Sequence, residues 1–208
     1  MFVDYTKARR LLARRDPILG DLIRRYGDCR LADSQQADSF KALVHSIISQ
    51  QLSTRAAATI TARFSALFER FPAPVHVAAT SDAKLRGVGL SAQKVRYLRD
   101  LCQRIEDGSL PFHALDQMAD EDVITTLTCV KGVGRWTAEM FLMFRLHRPD
   151  ILPVGDLGIV KAVQKAYRLR QVPTPERLKR LGESWRPYRS IACWYLWASL
   201  DNVPREKE

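Results

Sequence analysis

Val130-Lys131-Gly132-Val133-Gly134-Arg135-Trp136-Thr137-Ala138, or VKGVGRWTA, sets two glycines one residue apart and then at once resumes helix-forming residues. Glycine lets the backbone reach positive φ and approach a ligand closely, and the N–H groups that open the following helix point outward and favour an anion. The stretch reads as a tight helix–helix turn, or as a phosphate cradle in which Lys131, Gly132, Gly134 and Arg135 make the contact and Thr137 adds a hydroxyl. It is not a nucleotide P-loop, because no Gly-Lys-Ser/Thr follows, and no strand precedes it as a Rossmann turn requires.

Outward from this turn the chain keeps to helical spacing, and few segments alternate with period two. Phe40, Leu43, Val44, Ile47 and Ile48 follow the pattern of a core-facing helix, with Asp38 or Ser39 as its cap. A second helix is expected over TRAAATITARFSALFERF after Ser53, closed by the prolines of FPAP at 71 to 74. A short helix from Ser81 runs into Gly87-Val88-Gly89, and a basic amphipathic helix follows from Ser91 to Ile105. Two helix–Gly-x-Gly–helix units result, at 81 to 105 and at 121 to 146, joined by the turn-rich DGSLPFHALDQM. RPDILPVGDLGIV, 148 to 160, breaks the chain again and leaves Asp156 at the start of the next helix. Thr174 then caps a helix with Pro175 in its first position, and a last helix spans about Pro187 to Leu200. The fold class is all-α, one unit over 1–208 with lobes near 40–148 and 1–39 plus 149–208.

The totals narrow the function. The 208 residues, 46% of them hydrophobic, suffice for a sizeable core. Thirty-three Lys and Arg against 23 Asp and Glu give a formal charge of +10, which favours a polyanionic partner. The segment 161 to 189 alone holds nine basic residues against two acidic ones, a local +7 that either extends a nucleic-acid footprint or is a solvated face. The longest strongly apolar run, IACWYLWA from Ile191, is far short of the ~20 residues of a membrane span, and the N-terminus has no apolar signal core. An intracellular protein without a membrane partner is expected. Cys29, Cys102, Cys129 and Cys193 lie 73, 27 and 64 residues apart, which fits neither a zinc pattern nor an iron–sulfur loop, so they read as reduced core residues. His45 has no second ligand near it in sequence and reads as a surface or pocket-lining residue rather than a metal ligand.

Four ordered motifs carry a resemblance. Leu127-x-x-Val130-x-Gly132-Val133-Gly134-x-Trp136-Thr137-Ala138 followed by Pro153-Val154-Gly155-Asp156 resembles the helix-hairpin-helix DNA glycosylases, in their alkylbase branch, the DNA-3-methyladenine glycosylase II type. Ile47-Ile48-Ser49-Gln50-Gln51-Leu52-Ser53 is similar to that family's wedge loop, Val88-Gly89-Leu90-Ser91-x-x-Lys94 to its first hairpin, and Trp185-Arg186-Pro187-Tyr188-Arg189-Ser190-x-Ala192 to its last helix. The resemblance implies two helical lobes with an active-site cleft between them; the extra N-terminal β domain of longer members is not expected, because the residues before the Phe40 helix are few and read as helical.

What the resemblance implies for single residues has a physical counterpart in each case. The family's catalytic aspartate falls on Asp156. Breaking an N-glycosidic bond builds positive charge on the sugar, and a fixed carboxylate stabilises it; a plain helix cap is the other use of an Asp there. The wedge falls on Gln51, whose amide fills the gap left by a flipped base. Trp136 and Trp197 fall on the aromatic pocket, where an indole face favours cationic methylated purines, and Met140 stands where an aromatic is expected, which broadens the pocket's adaptability. Bifunctional relatives carry Lys at the position of Trp136, so hydrolysis without strand cleavage is implied. The hairpin ion of the family would sit on the backbone carbonyls of Thr128, Val130 and Val133; no iron–sulfur cluster or other cofactor is implied. The expected protein is a monomer that acts on double-stranded DNA containing alkylated bases in base excision repair, in cytoplasm, nucleoid or nucleus. A non-catalytic damage sensor of the same fold and a glycosylase for another lesion class are the alternatives.

Overall fold

The computed structural model describes residues 3–33 and 38–200, and among them there is no β-strand. The described residues form twelve α-helices: α1 Tyr5–Arg15, α2 Pro17–Tyr26, α3 Ser39–Ser49, α4 Thr54–Ser65, α5 Pro74–Ala79, α6 Asp82–Gly87, α7 Ala92–Glu106, α8 Asp120–Thr128, α9 Arg135–Phe144, α10 Leu157–Ala166, α11 Pro175–Gly182 and α12 Arg189–Ala198. The chain divides into two compact units, residues 36–141 and residues 1–35 with 142–208.

In the first of these units, Leu43, Val44, Ile47 and Ile48 bury the inner face of α3, and the Asp38 side chain caps its start by accepting from the Lys41 N–H at 2.9 Å. α4 stops at Ser65, earlier than the sequence pattern predicts. Beyond it the Leu67 and Phe68 N–H groups bond back to Phe64 and Ser65, so the chain tightens into a turn. That turn brings the Phe68 and Phe71 rings within 5.6 Å and 6.2 Å of buried Phe64, and Phe71 also meets Phe40 at 6.3 Å. Packing of the half-buried Phe68 and Phe71 rings on buried Phe64 and Phe40 outweighs the helical propensity of ALFERF, whose increments are each a fraction of an aromatic contact. The prolines then do more than close a helix: Pro74 occupies the first turn of α5, where its missing N–H costs nothing. Both glycine hairpins form, α6–α7 around Gly89 and α8–α9 around Gly132.

The other unit is organised around Asp16. Its carboxylate lies buried between α1 and α2, caps α2 by accepting from the Ile18 and Leu19 N–H groups at 3.0 Å and 3.2 Å, accepts from the Trp185 indole N–H at 2.9 Å, and accepts from the Tyr167 hydroxyl. One side chain thereby joins the N-terminal helix pair to the end of α10 and to the turn before α12, at sequence separations of 151 and 169 residues. Burial and this contact push the Tyr167 phenol up. Ser190, fully buried at the start of α12, donates to the Arg148 carbonyl at 2.7 Å and accepts from the Ile151 N–H at 2.9 Å. Arg189 grips Asp150 through Nε at 2.7 Å and Nη2 at 3.0 Å. These bonds fix the segment 148–151 that leads to Asp156.

Replacing Asp16 with Ala removes four hydrogen bonds and strands two buried donors. Urea denaturation is expected to show a loss of roughly 2–4 kcal/mol of unfolding free energy. Asp4→Ala, which removes only the exposed cap of α1, is expected to cost about 1 kcal/mol or less.

Candidate active site and DNA-binding hairpin

The hairpin turn between α8 and α9 is built by one glycine and kept open by the other. Gly132 has φ +82°, and a Cβ placed on it would lie 2.1 Å from the Tyr97 ring of α7. Tyr97 itself is fixed by a hydrogen bond from the Gln93 amide. The Gly132 carbonyl accepts from the Gln50 side chain at 2.7 Å, which ties the hairpin to the loop between α3 and α4. Gly134 differs: nothing lies within 4 Å of the Cβ it lacks, and its φ is not positive. No packing demand of the fold accounts for this glycine, whereas backbone held open to solvent at the head of α9 suits a ligand that must come close.

The hairpin cations are engaged within the protein. Lys131 donates its backbone N–H to Asp100 Oδ2 at 2.9 Å and its ammonium to Oδ1 at 3.3 Å. Burial raises the Asp100 carboxyl, and the donors from Lys131 and Arg104 more than offset this, holding it below the usual carboxylate range. Arg135 bonds both oxygens of Glu121 at 2.6 Å and 3.0 Å and reaches Glu139 at 3.1 Å, so it braces α8 against α9. Thr137 was expected to add a hydroxyl contact, but it is 5% exposed: three residues into α9 its side chain falls on the packed side of the helix, beside Ala138. Of the residues expected at the phosphate, Lys131, Gly132, Gly134 and Arg135 are exposed, and so is Cys129, which was expected in the core.

Trp136, 48% exposed, stands on the outer side of α9, with half-buried Met140 one turn along. In the loop that Gln50 ties to the hairpin, Gln51 is exposed and adopts φ +57°, an uncommon conformation for a non-glycine residue. Lys94 steadies the same region by donating to the Ile48 carbonyl at 2.6 Å. His45 lines a groove with Ser49, Leu52 and Thr54, lies edge-on to Phe71 at 5.6 Å, and is driven toward its neutral form by burial and then by Lys41. Among the described residues no group of His, Cys, Asp and Glu has the arrangement of a metal site.

In the other unit Asp156 and Trp197 come together although 41 residues separate them. Asp156 is 8% exposed and caps α10, its Oδ1 accepting from the Ile159 N–H at 2.7 Å and from the Trp197 indole N–H at 2.9 Å. Trp197 is stacked on Phe144, ring centroids 6.0 Å apart and 27° from parallel. Gly158 makes room for this pair: a Cβ there would be 2.9 Å from Asp156 Oδ1 and 3.0 Å from the indole nitrogen. A carboxylate held through one oxygen by two donors has its plane fixed, which is what a group that must meet developing positive charge requires. Sequence reasoning missed the supporting residues Gln50, Tyr97, Asp100 and Gly158; for Gly158 the proximity to Asp156 was the available signal.

Residues 44–187 match the HhH-GPD superfamily of base excision DNA repair proteins. The chain belongs to this superfamily. It is similar to DNA-3-methyladenine glycosylase 1 of Schizosaccharomyces pombe, 32% identical over 196 residues that cover 92% of this chain and 86% of that one. Among solved structures it resembles the S. pombe 3-methyladenine DNA glycosylase in complex with abasic DNA, with a TM-score of 0.82 and 30% identity over 97% of this chain and 100% of the other. It also resembles a DNA-3-methyladenine glycosidase from Bacillus halodurans, with a TM-score of 0.85 and 35% identity over 94% and 89% of the two chains.

The two hairpin glycines are expected to separate under mutation. Gly132→Ala must displace Tyr97 and hold a left-handed backbone, lowering thermal stability by about 2 kcal/mol or more. Gly134→Ala is expected to leave the melting temperature unchanged and to weaken duplex DNA binding, which fluorescence anisotropy measures.

Proposed function

We infer that this chain is a monofunctional DNA-3-methyladenine glycosylase that hydrolyses the N-glycosidic bond of alkylated bases in duplex DNA. The observation that carries the reading is Asp156, a nearly buried carboxylate fixed by two donors at the head of α10, in a chain of the HhH-GPD superfamily. The relatives' names supply the substrate class: they are 3-methyladenine glycosylases, and one was solved on abasic DNA.

The chemistry follows from the residues. As the bond to the base breaks, positive charge grows on the sugar; Asp156 stabilises it and orients the water that completes hydrolysis. A purine nucleotide methylated at N3 of adenine or N7 of guanine is cationic and its base leaves readily, so the protein need supply selection more than acid catalysis. Exposed Trp136 offers an indole face to such a cation, worth roughly 0.5–2 kcal/mol, and Met140 beside it adapts to differing shapes. Trp197 is assigned to the pocket as well, and its N–H makes it also a positioning residue for Asp156. Gln51 takes the place of the extruded base. Backbone N–H groups at the head of α9 hold a phosphate, with Lys131, Gly132 and Gly134 at its surface. Arg135 contributes there chiefly by bracing the hairpin, and Thr137 through its main chain.

A monovalent cation fits the turn: the carbonyls of Thr128, Val130 and Val133 would hold it, and Val130 still has a lone pair beyond the one that accepts from the Val133 N–H at 3.0 Å. When bound it would add positive charge beside the phosphate. No other cofactor enters the proposal. With Trp136 where a lyase would place an amine, the product is an abasic site in an unbroken strand. We assign the protein to the intracellular DNA compartment and to action as a monomer. Among the described residues no helix is long and apolar enough to cross a membrane.

Incubated with methylated duplex, the wild type is expected to release 3-methyladenine without nicking the strand. Asp156→Asn is expected to release it roughly a hundredfold or more slowly while binding DNA equally well; equal rates would remove Asp156 from the mechanism. Trp197→Phe keeps an aromatic ring but loses one hydrogen bond to the carboxylate, and the single-turnover rate is expected to fall about tenfold.

A further inference from the structure

The basic charge of this protein is not where the hairpin is. Residues 36–141, the unit that carries both glycine hairpins, hold twelve Lys and Arg against eleven Asp and Glu, a net +1. The remaining residues therefore supply +9 of the total +10, and 161–189 alone supply +7. The α8–α9 hairpin also engages its own cations, Lys131 with Asp100 and Arg135 with Glu121 and Glu139, and on neighbouring α7 Arg99 pairs with Asp82 and Arg104 with Asp100.

The α10–α11 region is arranged in the opposite way. Arg177, Lys179 and Arg180 project from α11, where only Leu178 and Gly182 are buried, and Arg168 and Arg170 lie exposed in the turn before it. On α10, Lys161 and Lys165 are exposed one turn apart. Among the described residues none of these seven has an acidic partner within salt-bridge distance. By contrast Arg186 and Arg189, which close the same basic segment, are both paired with Asp150. Cations left unpaired at this density repel one another and cost stability unless something outside the chain neutralises them.

We propose that the exposed face of α10 and α11 is a second, sequence-independent contact for duplex DNA, supplying most of the electrostatic attraction while the hairpin supplies local grip. The ligand is the sugar–phosphate backbone: seven cations without acidic partners suit a regular array of single negative charges, whose counterions they release on binding. The proposal rests on the reading of the chain as a DNA-acting protein, not on which base it removes.

The test compares Arg177→Gln/Arg180→Gln with Arg24→Gln/Arg25→Gln, which removes equal charge from α2 of the same unit. Binding to a short undamaged duplex is followed by anisotropy over a salt series. For the α11 variant we expect at least fivefold weaker binding at low salt and a log–log salt slope smaller in magnitude by about 2, with single-turnover base release at saturating enzyme within twofold of wild type. The α2 variant is expected to keep the wild-type slope. An unchanged slope in the α11 variant, or the same loss in both variants, overturns the proposal. So does a loss confined to cosedimentation with phosphatidylserine vesicles, which would assign the face to a membrane surface. A wild type that binds duplex with the expected slope but releases no base would refute the glycosylase reading and leave this contact standing.

Discussion

Much of this molecule hangs on a side chain that is absent. At Gly132 the Tyr97 ring occupies the volume a Cβ would fill, the backbone turns through positive φ, and the carbonyl is taken by Gln50. Three segments far apart in sequence, the loop after α3, the middle of α7 and the α8–α9 turn, are thereby held in one arrangement. The exposed Gln51 stands next to Gln50, and the exposed Trp136 stands four residues beyond Gly132. The parts proposed to plug the duplex and to read the base are thus set on one support, and any residue larger than glycine at 132 must displace the Tyr97 ring that helps to form it.

The second constraint works by convergence on one atom. Oδ1 of Asp156 receives the Ile159 N–H from the first turn of α10 and an indole N–H from a distant helix, and Gly158 leaves the space in which they meet. Capping and the catalytic role proposed for Asp156 rest on the same contact: the bond that caps α10 is also a bond that aims the carboxylate. Upstream, Ser190 and Arg189 pin residues 148–151, so the segment entering this site is held by its own hydrogen bonds rather than by loop packing alone.

Much of the fold was legible because it is helical and punctuated by strong signals. Asp38, Asp156 and Thr174 cap the helices as expected, Pro175 begins one, and Ser53 and Ser91 cap the helices whose starts were placed beside them. The end of α4 and the existence of α5 were not legible, because they are decided by where Phe68 and Phe71 find Phe64, a tertiary event with no local signature. The site divides in the same manner. Motif spacing pointed to Gly132, Trp136 and Asp156, but spacing carries no information on burial or pairing, so the interior position of Thr137 and the ion pairs of Arg135 were out of reach. Partners such as Tyr97 and Asp100 become visible only once α7 is placed beside the turn.

The Asp16 carboxylate draws a distinction between the part of a chain that a family shares and the part that folds. The superfamily match spans 44–187, yet the donors of Trp185 and Tyr167 inside that span close on an acceptor 28 residues before it begins. α2, which lies wholly outside the match, packs against α12. A fragment trimmed to the matched boundaries would keep Asp156 but lose Trp197, which aims it, together with the layer on which one of its two units is assembled. The smallest autonomous piece of this protein is therefore larger than its signature.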